Sequence, residues 1–264
     1  MSGNSRLVAL NLATGATLMN GTGGGAPADE EATGYPMENA LNSSRKIVWQ
    51  TSAAPVSPTQ LDIDLGAATI CNVGWINGLR YSDTSKVLST VKIYKASSYP
   101  TFTLADEITI PAITAEGEAP RDAGKAFNDP WNLRYWRFEF TFSGSAGAFT
   151  IGKIGLGVIS DLGVYYAAGS EDTPTRFQAK SQTLDGCPEI NDYGDPGRNI
   201  RLIFPTVDST LKAKLVPLAR LSGSFIYIDP ADNFYEVVLA DSQVPFSRVF
   251  TSLDYSELNL TRLP

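Results

Sequence analysis

The sequence predicts an all-β protein with two consecutive β-sandwich domains, the second of which also carries one short helix. Three observations lead to this prediction. Short runs in which apolar and polar residues alternate are separated by loops rich in glycine, proline and asparagine. A single segment, at 207–221, has leucines at the spacing of an amphipathic helix. The 264 residues, 43% of them hydrophobic and 10% aromatic, are enough to build substantial cores.

A long loop at 35–52 is the first distinctive element after an initial strand. Pro36 restricts the backbone at its start, and short polar side chains such as Asn39 and Asn42 can satisfy backbone groups, so we expect an ordered loop without regular structure. Trp49 lies near its end. We expect this large aromatic to fill the core rather than to form a ligand platform.

The predicted strands share an alternating or a continuously apolar pattern. They lie at 6–12, 60–65, 70–79, 90–94, 133–142, 149–159, 198–204, 224–228, 234–239 and 248–263. In the strand at 60–65, leucine and isoleucine alternate with Asp62 and Asp64, which we expect on a solvent-facing side. The strand at 70–79 is continuously apolar and should be buried on both sides.

The strand at 133–142 has one face that is almost entirely aromatic. The residues of that face are Arg134, Trp136, Phe138, Phe140 and Phe142. An apolar face of this size has to be covered by a second sheet, which favours a two-layer antiparallel sandwich.

The residue pattern of the sequence changes after residue 160. The segment 169–174 (GSEDTP) is the predicted domain boundary. We therefore divide the chain into domains at 1–165 and 166–264. The helix at 207–221 should begin at a cap formed by Asp208 or Ser209 and be limited by a proline at 217. Its apolar face is predicted from Leu211, Leu215, Leu218 and Leu221.

Composition excludes several classes of function. The net charge of −7 and the pI near 4.7 argue against binding to nucleic acid, which requires clustered Lys and Arg. The chain has no histidine, so a Ser-His-Asp or Cys-His mechanism is excluded. Cys71 and Cys187 are far apart and form no metal-binding or redox motif, and we expect free buried thiols.

The sequence also predicts that the protein does not insert into membranes. Residues 7–13 are too short and too polar for the core of a secretory signal, and apolar runs of about 20 residues are absent. We therefore expect synthesis in a cytoplasm, and a route other than secretion if the protein leaves the cell.

Residues 1–160 resemble the galactose-binding-like jelly rolls, the discoidin or coagulation factor 5/8 type C modules. The resemblance lies in the Asn-x-Leu-Asn…Trp loop and in the strands LDIDLG, VGWINGLRYS, VKIYKAS and RYWRFEFTF. It implies a binding or scaffolding module. Many family members hold calcium through carboxylate and carbonyl oxygens in a turn after the Asn-Leu pair. Here Asn42-Ser43-Ser44 has lost both carboxylates, which leaves Asn42 and carbonyl oxygens as the ligands that a calcium ion could use, and we assign neither a metal site nor a cofactor.

The second half resembles, more by pattern than by motif, the distal-tail (Dit-like) β domains of long-tailed bacteriophage tail tips. This resemblance implies a structural baseplate protein that forms a homo-oligomeric ring and supports host attachment. Its partners would be the tail tube, tape-measure and hub proteins. Its location would be the virion tail tip, after synthesis in the cytoplasm of the host bacterium.

Two other functions stay open beside this assembly role. The first is a carbohydrate-binding module for host surface glycans, and its candidate contacts are Arg80, Tyr81, Asp83, Tyr99 and Trp131. Packing into the core or an interface is the competing role for each aromatic, and it is the one we favour. The second is a glycan hydrolase, for which Asp62 with Asp64, or Asp229 with Asp232, would supply the carboxylates. Because acids at such positions ordinarily serve solubility and turns, we predict no catalytic residues and no enzyme activity.

Overall fold

The structure is a computed structural model of the whole chain. The residues it describes are 4–19, 31–44, 47–52, 58–81, 87–110, 121–143, 148–162, 171–175, 178–182, 188–192, 197–221, 223–241, 244–250 and 253–262. Strands dominate these ranges, and one short α-helix occurs among them, so the predicted all-β class is confirmed. Of the helices in these ranges, none has the length and apolar character that crossing a membrane requires.

The strands are numbered in the order in which they occur along the chain. The strands are β1 (Arg6–Val8), β2 (Thr17–Met19), β3 (Trp49–Gln50), β4 (Thr59–Tyr81), β5 (Val87–Ala96), β6 (Thr103–Thr109), β7 (Arg121–Ser143), β8 (Phe149–Ile151), β9 (Lys153–Gly157), β10 (Ser160–Asp161), β11 (Glu171–Thr175), β12 (Gln178–Gln182), β13 (Pro188–Asp192), β14 (Gly197–Val207), β15 (Phe225–Ile228), β16 (Phe234–Leu239), β17 (Phe246–Phe250) and β18 (Leu253–Arg262). The α-helix, α1, spans Ser209–Leu215. The chain forms two compact units, 10–159 and 1–9 together with 160–264.

The unit at 10–159 is an antiparallel sheet in the order β3-β8-β4-β7-β5-β6, in which β2 and β9 also pair with β4. The long strands β4 and β7 cover both layers of this unit. The first half of β4 pairs with β2, and the second half pairs with β9. Both halves contribute to one hydrophobic core, which is the arrangement of a sandwich.

The change of layer along β4 follows an irregularity after Asp64. The pairing of β4 with β7 shifts between Asp64 and Thr69, and Gly66 adopts a positive φ of 80° there. The backbone N–H of Gly66 donates to Asp64 Oδ1 at 2.7 Å. A bulge with glycine in the left-handed region bends a strand, which explains how β4 leaves the first layer.

The core of this unit is rich in aromatic rings. Trp49 is fully buried, as predicted, and its ring packs edge-on against Phe140 and Phe149 at centroid distances of 5.4 and 5.6 Å. The predicted aromatic face of 133–142 is likewise buried at Trp136, Phe138 and Phe140. Cys71 is a buried free thiol, and burial raises its pKa to about 12. Cys187 lies outside the described residues.

The second unit is discontinuous in sequence, which differs from the predicted division at 165/166. Its sheet has the order β10-β1-β15-β16-β18-β14-β11, and β17 pairs with β18. Strand β1 pairs antiparallel with both β10 and β15, and Leu7 belongs to the core of this unit. Residues 1–9 therefore belong with 160–264 rather than with the unit that follows them in sequence.

The predicted helix is confirmed at its start and on its apolar face. The Asp208 side chain caps α1 by accepting the N–H of Leu211 at 2.7 Å. A 3-10 turn at Val216–Arg220 contains the proline and follows α1 directly, because the proline ring ends α-helical hydrogen bonding. The buried leucines on this face are Leu211, Leu215 and Leu218.

Several predicted strand limits were wrong. The strand predicted at 248–263 is a hairpin of β17 and β18, which pair antiparallel. The strand predicted at 6–12 ends at Val8, and the one predicted at 149–159 is two strands, β8 and β9. Strands β12 and β13 pair with each other and were not among the predicted strands. Alternation marks the apolar positions of a strand, but it does not mark where two strands meet in a hairpin.

Candidate functional site

Two ion pairs join β4 to β7 on the outer side of the first sheet layer. Asp62 lies directly opposite Arg137 in the strand register and accepts two hydrogen bonds from it, at 2.6 and 2.8 Å. Asp64 accepts two from Arg134, at 2.6 and 2.7 Å. Both arginines use Nε and Nη2, the bidentate geometry that fixes a guanidinium in one plane.

The expected solvent exposure of Asp62 and Asp64 was wrong. The residue Asp62 is only 1% exposed, and Asp64 is also buried. A carboxylate can be buried on this face because an arginine on the neighbouring strand neutralises it. The alternation in the sequence therefore marked a polar sheet face correctly but did not show that the face is covered.

The ion pairs shift the pKa values of Asp64 and of both arginines. Hydrogen bonds from Arg134 lower the pKa of the Asp64 carboxyl, and the same bonds raise the pKa of Arg134. Hydrogen bonding to Asp62 likewise raises the pKa of Arg137. A general acid needs a proton near neutral pH, and the lowered pKa of Asp64 disfavours one on that carboxyl.

The other carboxylate pair serves a turn. Asp229 Oδ1 accepts the backbone N–H groups of Ala231 and Asn233 at 2.8 and 2.9 Å. Asp232 has a positive φ of 66° and forms an ion pair with Arg6. These contacts are those of an Asx turn between two strands, so the carboxylates have a structural role in the described geometry.

Aromatic rings pack against both arginines of the first layer. The guanidinium carbon of Arg137 lies 4.3 Å from the ring centroid of Phe102, and that of Arg134 lies 4.9 Å from the ring centroid of Tyr135. Tyr99 contacts both rings, edge-on to Phe102 at 5.9 Å and tilted against Tyr135 at 6.0 Å. We refer to Tyr99, Phe102, Arg134, Tyr135 and Arg137 as the ring–guanidinium surface.

The ring–guanidinium surface is accessible and retains hydrogen-bonding capacity. All five residues are half-buried, and the side chain of Arg134 is 42% exposed. Within the described part of the chain, the Tyr135 hydroxyl and Arg134 Nη1 have no hydrogen-bond partner. Stacking and salt bridges therefore hold the rings in place while polar atoms still face solvent.

Trp131, another predicted glycan contact, does not belong to the ring–guanidinium surface. Lys95 Nζ lies 3.2 Å from the centroid of its ring, and the indole packs against the core. Burial lowers the pKa of Lys95, and the charge of Asp129 opposes that shift. The contact of the indole with the core, more than the Lys95 contact, favours the packing role for Trp131.

The remaining predicted contacts lie elsewhere on the unit. Arg80 is exposed near the end of β4. The backbone of the next residue, Tyr81, pairs with that of Phe149. Phe149 packs against Phe140, whereas Tyr99 packs against Tyr135, five positions away on β7. Five strand residues span about 17 Å, so Arg80 and Tyr99 do not form one site. Asp83 lies outside the described residues.

Sequence reasoning found Tyr99 but missed the other four members of the ring–guanidinium surface. The signal for the arginines was present, because two adjacent strands carried Asp-x-Asp and Arg-x-x-Arg, and opposite charges on neighbouring strands attract. The strand register that brings them together was not evident from the pattern. Phe102 gave no signal, since it precedes a short edge strand.

The described residues do not form a metal cluster. No group of three or more His, Cys, Asp or Glu that could hold an ion occurs among them. In the loop where family members carry calcium ligands, Asn42 Oδ1 accepts the N–H of Ser44 at 3.0 Å.

No protein-family model and no curated protein matches this chain. Solved structures do match it. Chitosan-binding module 1 of a chitosanase/glucanase from Paenibacillus sp. IK-5 is 16% identical, with 56% of this chain and 98% of that chain covered and a TM-score of 0.40. CBM32-1 of a family 31 glycoside hydrolase from Clostridium perfringens is 12% identical, with coverages of 57% and 99% and a TM-score of 0.43.

The family 32 carbohydrate-binding module of C. perfringens NanJ, solved with galactose, is 15% identical, with coverages of 59% and 99% and a TM-score of 0.43. All three of these similar structures are carbohydrate-binding modules. Their identities and TM-scores are low, so they assign neither a family nor a ligand to this chain.

Proposed function

We propose that the unit at 10–159 is a non-catalytic module that binds carbohydrate at the ring–guanidinium surface. One observation carries the proposal: fixed aromatic rings and unpaired hydrogen-bonding groups lie together on one accessible sheet face. Aromatic rings pack against apolar C–H faces such as those of a sugar, while the Tyr135 hydroxyl and Arg134 Nη1 can bond its hydroxyls.

The sequence motifs support the same ligand class. The loop and strands that resemble galactose-binding-like modules all lie in this unit, and such modules recognise ligands without chemistry of their own. The carboxylates that a hydrolase would need are bound to arginines at Asp62 and Asp64. Binding without turnover is therefore the function that this surface suits.

The bacteriophage tail-tip role stays a prediction of the sequence resemblance alone. The same holds for the homo-oligomeric ring, for the tube, tape-measure and hub partners and for the virion location. A glycan-binding unit is compatible with the tail-tip role, but no contact described above favours the tail-tip role.

The proposal is tested with a glycan array of neutral and acidic mono- to hexasaccharides, followed by calorimetric titration of the strongest binder. We expect Tyr135→Ala and Arg134→Met each to weaken binding about tenfold or more, because each removes a contact worth more than about 1.4 kcal/mol. Tyr135→Phe should lose less, since it keeps the ring.

A matched control separates binding from stability. Arg201 forms the same bidentate ion pair with Glu257 in the other unit, and its side chain is 41% exposed. Arg201→Met therefore removes an equivalent salt bridge and should leave affinity unchanged. The proposal is overturned if the wild-type protein binds no glycan, or if the Arg134 and Arg201 variants lose affinity equally.

A further inference from the structure

The ion pair of Arg134 with Asp64 uses only one edge of the guanidinium. Nε and Nη2 each donate one hydrogen bond to the carboxylate, at 2.6 and 2.7 Å. Arginine carries five N–H groups in a planar fork, so one on Nη2 and both on Nη1 remain. We refer to the Nη1–Nη2 side of this guanidinium as the terminal edge of Arg134. Among the residues that the structure describes, none pairs with the terminal edge.

The terminal edge has the geometry that recognises a carboxylate. Its two outermost N–H groups, one on each nitrogen, are parallel and match the two oxygens of a planar carboxylate. Such charge-assisted bidentate pairs are stronger and more directional than a hydrogen bond to a hydroxyl. A sugar hydroxyl presents one oxygen and cannot satisfy both N–H groups in this way. The hydrogen-bonding pattern therefore favours an acidic ligand group over a neutral one.

The cationic ends of both ion pairs lie nearer to solvent than the anionic ends. The side chain of Arg134 is 42% exposed, whereas that of Asp64 is only 11% exposed. The side chain of Arg137 is likewise more exposed than that of Asp62, which is fully buried. A ligand at this surface therefore meets the guanidinium groups before the carboxylates, and the local potential favours an anion.

The acidic residues of the rest of the chain do not cancel this local potential. The two carboxylates of β7 nearest to Arg134 in sequence are Asp129 and Glu139, each five positions away. Glu139 accepts a hydrogen bond from the Tyr94 hydroxyl at 3.1 Å, and Asp129 attracts the ammonium of Lys95. The net charge of −7 is a sum over the whole chain, and exposed charges more than about 8 Å apart are largely screened at physiological ionic strength.

The aromatic rings beside the terminal edge can hold the rest of such a ligand. The guanidinium carbon of Arg134 lies 4.9 Å from the ring centroid of Tyr135, and the ring of Tyr99 is tilted against the same ring at 6.0 Å. Aromatic rings pack against the C–H groups of a sugar, and a rigid sugar ring loses less conformational freedom there than a flexible acidic side chain. One sugar residue can therefore contact Tyr135 and place a carboxylate on the terminal edge.

We infer that the ring–guanidinium surface binds an acidic glycan, whose sugar carboxylate contacts the terminal edge of Arg134 while the sugar ring packs on Tyr135. This inference rests on the proposed function and names its ligand class, a glycan that contains uronic acid or another sugar acid. Arg134 then determines the specificity for the acid, because a neutral sugar leaves the terminal edge incompletely paired. Tyr135 contributes affinity for the acidic and the neutral sugar alike.

The test compares each acidic oligosaccharide with a neutral copy of itself. The probes are oligogalacturonate, oligomannuronate and sialyllactose, each beside the same compound after reduction of its carboxylates to primary alcohols. They are titrated calorimetrically against the full-length protein. For the probe that binds most tightly, we expect the acidic form to bind the wild type about tenfold more tightly than the reduced form. The reason is that reduction replaces a charge-assisted bidentate pair by a single neutral hydrogen bond.

Three variants locate this preference in the site. In Arg134→Lys the ammonium still pairs with Asp64 but has no second edge, so we expect the preference for the acidic form to fall to about twofold or less. In Tyr135→Ala both forms should weaken together, and the ratio of their affinities should stay as in the wild type. Arg201→Met, in the other unit, should change neither the affinities nor their ratio.

The outcomes separate the inference from the proposed function. Equal binding of the acidic and reduced forms, or a preference that Arg134→Lys keeps in full, overturns the inference and leaves carbohydrate binding intact. Hexaglutamate supplies carboxylates without a sugar ring, and binding as tight as that of the best acidic glycan would overturn both the inference and the proposed function. The absence of binding by any saccharide would also overturn both.

Discussion

Asp64 illustrates how one side chain takes part in both the fold and the candidate site. Its Oδ1 accepts the Gly66 N–H at the bend of β4 and a hydrogen bond from Arg134. The same carboxylate therefore stabilises a bulge and holds the arginine that packs on Tyr135. A change at Asp64 should affect both stability and binding.

The pH dependence of stability follows from the lowered pKa of Asp64. The folded carboxyl holds its proton less tightly than an unfolded one, whose pKa is about 3.9, so the unfolded chain binds more protons near pH 4. The stabilisation is complete above that pH and is lost as the pH falls below it. Urea unfolding of wild type and Asp64→Asn between about pH 6 and pH 3 should show their difference in unfolding free energy shrinking on acidification. A constant difference would contradict the assignment.

Gly155 is required by a close approach of Trp75. The two residues are paired between β4 and β9, and a Cβ on Gly155 would lie 2.0 Å from Trp75 Cε2. Because Trp75 is buried, the indole cannot move aside freely, and Gly155→Ala should lower the unfolding free energy by about 3 kcal/mol. At Gly74 a Cβ would meet the terminal methyl of Ile93 at 2.6 Å, which can rotate. Gly74→Ala should cost less in the same urea titration, and equal losses would contradict this argument.

The strands β4 and β7 are the elements that create the site. Each is 23 residues long, and their pairing aligns Asp62 with Arg137 while the bend after Asp64 directs the remainder of β4 into the second layer. The sequence predicted the faces of both strands correctly at Leu61, Ile63 and the buried aromatics. It could not predict the pairing, because register depends on partners that are distant in sequence.

The buried pair of Asp62 and Arg137 should be strongly coupled. Arg137→Met leaves a buried carboxylate without a partner, which costs about 3–5 kcal/mol. The double variant Asp62→Leu with Arg137→Met removes both charges and should recover most of that loss. Urea unfolding of the wild type, the two single variants and the double variant measures the coupling. Additive losses would show that the pair contributes as two independent residues.

Along the whole chain, the sequence of one compact unit, 10–159, interrupts the sequence of the other. The predicted division at 165/166 was based on a change in residue pattern, which is a local property of the sequence. The membership of residues 1–9 depends instead on the pairing of β1 with β15, more than 200 positions away, and three residues of strand carry no signal of such a partner. The core of the inserted unit was predictable from alternation, whereas the discontinuity of the other unit was not.

The insertion predicts which fragments fold. Leu7 of β1 lies opposite Ser160 of β10 in an antiparallel pair, so a tight turn joining residues 9 and 160 would make a hairpin of these strands. We expect a 1–9/160–264 chain joined by a short Asn-Gly turn to unfold cooperatively in thermal denaturation. A 166–264 fragment should not, because it lacks β1 and β10 and leaves the core around Tyr227 uncovered. If the 166–264 fragment unfolded cooperatively at the same temperature as the joined 1–9/160–264 chain, β1 would be dispensable and the unit would be continuous in sequence.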